Sequence, residues 1–89
     1  MEQRERRSKL LSLLEELEAI KFSTNRGVFR IDAGLIREVT TLVGYGYRAE
    51  GVFQRKHLLK HPDNGVRFFF YEGELLNFLL NAVEKELDK

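Results

Sequence analysis

The apolar positions of this chain change period along its length. Leu10, Leu13, Leu14, Leu17 and Ile20 recur at spacings of three and four, which places them on one helical face and predicts a helix over 2–20. Glu15, Glu16 and Glu18 fall largely off that face, and Leu11 widens the stripe, so the helix is expected to touch more than one neighbour. A second helical pattern runs over 33–43, with Leu35, Ile36, Val39, Leu42 and Val43 inward. Asp32 stands where an N-cap carboxylate can accept from the free amides of the first turn, and Gly44 stands where a helix stops. The β-branched run Val39-Thr40-Thr41 would also tolerate an extended backbone. A third helix is predicted over 74–87, with Leu76, Leu79, Leu80, Val83 and Leu87 as its stripe, broadened by Leu75 and Phe78.

Between the helices the alternation is that of strands. Residues 21–31 read as a hairpin: Phe22, a turn at 23–27, then Val28 and Arg30 alternating with Phe29 and Ile31. Residues 45–48 read as a flexible connection, followed by a strand over 50–60 and another over 66–71. The turn His61-Pro62-Asp63-Asn64-Gly65 joins them, because Pro62 presets φ for a type I turn and Asn64 or Gly65 can take φ > 0. The expected order is α-ββ-α-ββ-α, an α+β fold whose mainly antiparallel sheet is packed with helices.

With 89 residues the chain makes one domain, 1–89, with no linker or internal repeat. A domain of this size buries roughly 60–65% of the surface its unfolded chain exposes. Association with a second copy would therefore help it. Charged residues are 33% and hydrophobic ones 43%, a globular balance. The formal net charge is +1, but it is unevenly spread. Residues 1–71 hold 13 Lys/Arg against 9 Asp/Glu, and residues 72–89 hold 2 against 5. The absence of cysteine excludes disulfides, thiolate ligands and a Cys nucleophile. Together with a charged N-terminus and no long apolar run, it suggests a cytoplasmic protein that no membrane holds. Eleven Glu against three Asp, with one Met, would also suit a heat-stable protein.

The second hairpin carries the candidate chemistry. Alternate residues of a strand share a face. A three-residue turn groups Phe53, Arg55, His57, Arg67, Phe69 and Tyr71 on one side, and Val52, Lys56, Leu58, Phe68 and Phe70 on the other. The second set is the more natural floor for helices, which would leave the first, a mixture of rings and cations, open. Single-stranded nucleic acid calls for that mixture, because rings stack on bases and cations follow phosphates. Tyr45, Tyr47 and Arg48 lie beside the same hairpin. Residues 45–71 hold Arg48, Arg55, Lys56, Lys60 and Arg67 against only Glu50 and Asp63. The competing reading covers both faces with helices and leaves Arg and His at the rim.

Other constellations are weaker. Arg4, Arg6, Arg7 and Lys9 oppose the dipole of the first helix, so the helix starts late, the cluster is solvated, or it meets an anion. His57 and His61 are four apart, but on a strand that separation is about 13 Å, too far to share a metal. Asp63 adds only a weak third ligand. Glu72 and Glu74 suit the start of the last helix. Ser8, Ser12 and Ser23 have no base or oxyanion motif beside them, and no glycine turn follows a phosphate-loop pattern.

The expectation is a non-enzymatic module that uses no cofactor or metal and binds single-stranded nucleic acid with little sequence preference. Phe53, Phe69, Tyr71, Tyr45 and Tyr47 would stack on bases, while Arg48, Arg55, Lys56 and Arg67 hold the backbone. The alternative is a protein-interaction or homodimerisation module that buries its Leu-rich helices, with Leu11 and Phe78 in the interface.

Overall fold

The computed structural model of the chain describes residues 3–23, 30–51 and 55–89. Its elements are α1 (Gln3–Ser23), α2 (Ala33–Leu42), β1 (Gly46–Glu50), β2 (Lys56–His61), β3 (Gly65–Phe69) and α3 (Glu72–Leu87). The class is α+β, as expected, and the order is α-α-β-β-β-α. The expected first hairpin differs. Residues 21–23 continue α1, and residues 30–32 form no strand; residues 24–29 lie outside the described residues. Phe22 therefore rides on the helix, 78% exposed, while Ile31 is buried in the core. The segment 45–48, expected as a connection, supplies most of β1 instead.

The helix predictions follow from capping and periodicity. In α1, Leu10, Leu13 and Leu17 are buried, with Leu14 and Ile20 packed against them. The Asp32 carboxylate accepts from the Leu35 amide at 3.1 Å, as its N-cap position predicts. α2 is helical despite the β-branched run, and the Thr40 hydroxyl donates to the Arg37 carbonyl at 3.2 Å. Gly44 ends the helix with φ +88°. Its amide reaches the Thr41 carbonyl at 3.4 Å and the Tyr45 amide reaches that of Thr40 at 2.8 Å, a Schellman closure. In α3, Leu75, Leu76, Leu79, Leu80 and Val83 are all buried. The wide stripe of α3 has an internal cause: α3 packs on α1 and on the sheet at once, and Phe78 rests against Tyr45 and Phe69, whereas Leu11 on α1 stays exposed.

Two of the N-terminal cations, Arg6 and Arg7, have partners at the far ends of other helices. Arg6 donates to the Leu42 carbonyl at 2.7 Å and to the Glu86 carboxylate at 2.8 Å. Arg7 donates to the Leu87 carbonyl at 2.8 Å. The start of α1 thus lies beside the C-termini of α2 and α3, where unpaired carbonyls concentrate negative potential. Held by Lys89 and Arg6, the Glu86 carboxyl lies below the usual carboxylate range.

The sheet is antiparallel in the order β1-β2-β3. Tyr47, Leu59 and Arg67 align across it, as do Arg48, Leu58 and Phe68. The β2–β3 turn falls where predicted, and Gly65 has φ +78°. α2 and α3 pack on one face of the sheet, and α1 packs on α3 and α2. That sheet face presents His57 and Leu59, both fully buried, with Tyr47 and Phe69. The other face bears Arg48, Lys56, Leu58, Lys60, Val66 and Phe68, and no described element covers it.

Candidate nucleic-acid interface

The grouping of the hairpin residues into two faces agrees with the observed register, but the open and covered faces are exchanged. His57, Arg67 and Phe69 do share a side, and that side looks toward the helices. Lys56, Leu58 and Phe68, expected as the helix floor, look outward. The reason is Leu59, which has the parity of His57 and is the most deeply buried apolar residue of the strand. The signal was present in β2 itself. Its even positions are Lys56, Leu58 and Lys60, and its odd positions are His57, Leu59 and His61. Two lysines on one side of a strand need water, whereas imidazoles can be satisfied inside.

The expected contact residues accordingly scatter. Tyr45 is half-buried, its ring 4.8 Å from that of His61 and 5.4 Å from that of Phe78. Tyr47 faces inward and is joined to His57. Phe69 packs on Phe78 at 5.2 Å. Arg67, exposed at the sheet edge, lies over the Phe78 ring at 5.4 Å. Arg55 is largely buried and paired with Glu72. Phe53 lies outside the described residues. Tyr71, just past β3, is 65% exposed. Of the eight that are described, Arg48 and Lys56 stand on the open face. Arg48 is paired there with Glu50.

The open face gathers residues that the sequence reading left aside. Phe68 is 52% exposed and Phe70, just beyond β3, is 50% exposed. The Lys56 amine sits 4.4 Å from the centroid of the Phe68 ring and 5.9 Å from that of Phe70, so one cation borders both rings. Beside them is a shallow depression of about 370 Å³, lined by Gly46, Tyr47, Arg48, Leu58, Lys60 and Val66. Its floor is aliphatic and its rim carries Arg48 and Lys60.

Beneath the covered face runs a chain of polar contacts. The Tyr47 hydroxyl and His57 Nδ1 are 2.8 Å apart, His57 Nε2 meets one oxygen of Glu72, and Arg55 meets the other. Arg55 also donates to the Ile31 carbonyl at 2.9 Å, while the Ile31 amide donates to Glu72 at 3.2 Å. Burial holds the His57 imidazole below its ordinary value, outweighing the opposing pull of Glu72. A neutral ring satisfies both neighbours: Nε2–H donates to the carboxylate, and Nδ1 accepts from Tyr47. Burial likewise raises the Tyr47 hydroxyl, with Arg55 opposing. The network ties β1, β2, the segment before α2 and the first turn of α3 together.

His61 has a different role, accepting from the Asp63 amide at 3.1 Å inside its turn. Among the described residues no three His, Asp or Glu side chains cluster as metal ligands, and no helix is long and apolar enough to cross a membrane. No protein-family model, curated protein or solved structure matches this chain.

Proposed function

We propose that the protein is a non-enzymatic module that binds single-stranded nucleic acid on the open face of its sheet. The observation that carries this reading is Phe68, half-exposed on a face that no described element covers and that also bears Arg48, Lys56 and Lys60. A base can stack on such a ring, and the cations around it can follow the phosphates on either side. Glu50 is the one acid on that face among the described residues, and Arg48 already neutralises it. Catalysis is no part of the reading. The Tyr47-His57-Glu72 assembly has its imidazole wholly buried, out of reach of a substrate. Its contacts join structural elements.

The test is a fluorescence-polarisation titration with labelled single- and double-stranded oligonucleotides across a range of salt. Single strands are expected to bind more tightly than duplex, whose stacked bases cannot reach the rings. No binding at low salt, or equal binding of both forms unaffected by loss of Phe68, would sink the proposal. The protein-interaction reading would then take its place, with Leu11, 45% exposed on α1, as the residue to examine.

A further inference from the structure

Among the described residues β3 is an edge strand, with β2 as its one neighbour in the sheet, and the strand itself carries none of the usual protection. Edges are commonly blunted by proline, by bulges or by outward charges, because their free amides and carbonyls template pairing with another chain. β3 contains no proline, and its one charge, Arg67, lies back over Phe78 on the covered side. Of the six large hydrophobic residues exposed among the described ones, four fall together: Val66, Phe68, Phe70 and Tyr71.

We propose that β3 pairs antiparallel with β3 of a second copy, forming a homodimer with a continuous six-stranded sheet. The identity of the partner follows from the strand's own pattern. A two-fold axis perpendicular to the sheet keeps the faces in register only if it runs midway between a residue and its own counterpart, which then lie opposite one another. An axis at Arg67 would oppose two guanidinium groups, an unfavourable pair. An axis at Phe68 sets Phe68 against its counterpart and Val66 against Phe70, so the outward side becomes one apolar row. On the inward side Arg67 comes opposite Phe69, a cation beside a ring. The strand is self-complementary in that register, and the helices of both copies remain on one side. This inference does not depend on nucleic-acid binding, and it leaves the open face uncovered.

The protein lacks cysteine, which makes the axis directly testable. Residues opposite one another in an antiparallel pair have Cα atoms about 4.5–5.5 Å apart, within the range a disulfide spans. Phe68→Cys is expected to oxidise quantitatively to a covalent dimer, and Leu11→Cys to remain monomeric under the same treatment. Light scattering of the unmodified protein, without nucleic acid, is expected to show a rise from monomer to dimer mass between micromolar and submillimolar concentration. Phe68→Lys, on the surface, is expected to abolish that rise while keeping the wild-type circular dichroism spectrum. Three results would overturn the proposal: a monomer throughout the range, a dimer that Leu11→Glu dissolves and Phe68→Lys does not, or equal cross-linking at positions 11 and 68. Should Phe68→Lys fail to fold, the two cysteine variants decide alone.

Discussion

The imidazole of His57, fully buried on β2, is hydrogen-bonded to the carboxylate of Glu72 in the first turn of α3. That contact fastens the centre of the sheet to the helix that covers it. Burial of that imidazole, against the pull of Glu72, makes the fold sensitive to acid. Because burial depresses the pKa of His57, the unfolded chain takes up a proton before the folded one does. The stabilisation is complete above about pH 6.5, the ordinary value for histidine, and is lost as pH falls through the folded value. Urea midpoints should therefore drop between pH 8 and pH 5. His57→Gln should start lower at pH 8 and be flatter in that window. Glu86, also depressed, adds its own loss only below the ordinary carboxylate range.

Arg55 neutralises Glu72 in a site where both side chains are mostly buried, at 18% and 16% exposure. Arg55→Met would leave that carboxylate without its cation, at a cost of about 2–4 kcal/mol. Adding Glu72→Gln should recover part of the loss, because a neutral amide is easier to bury than a lone charge. Chemical denaturation of the two variants measures the coupling. Equal loss in the single and double variants would mean that Arg55 acts by packing alone.

Two glycines have open space around them and opposite expectations. A Cβ at Gly65 or at Gly73 meets nothing within 4 Å. Gly65, however, has φ +78°, and Gly73 sits in α3 without a positive φ. Gly65→Val should destabilise by roughly 1 kcal/mol or more through backbone strain, with Gly65→Asn milder. Gly73→Ala should stabilise by up to about 1 kcal/mol. Melting temperatures moving in the same direction for Gly65→Val and Gly73→Ala would contradict this account.

The binding face can be dissected by salt dependence. Lys56→Ala or Lys60→Ala should weaken every single-stranded oligonucleotide and make the salt slope shallower by about 0.7 per lost phosphate contact. Phe68→Ala should cost about 1–3 kcal/mol in affinity with the slope nearly unchanged. Phe69→Ala serves as the contrast. Its ring packs on Phe78, so the variant should lower stability and change affinity little where it stays folded.

Much of the fold was legible in local pattern. The helical stripe of α1, the Asp32 cap, the Gly44 stop and the turn ending at Gly65 each depend on residues within a few positions of one another. So does the division of the hairpin into two faces, since side chains alternate along any strand. Which face the helices cover is hinted at locally, by Lys56 and Lys60 on one side of β2, but is decided by long-range packing. It depends on how deeply Leu59 and His57 can be buried, and His57 is buried only because Tyr47 and Glu72, far apart in the chain, satisfy its two nitrogens. The same long-range contacts turned Arg55 from an expected phosphate ligand into the partner of Glu72. Separate long-range contacts hold Arg6 and Arg7 at the ends of α2 and α3. Periodicity and capping determined the elements and their α+β class. Only the packing of α3 against the sheet decided which cations and rings remained in water, because burial of a polar group is settled by the partner that meets it.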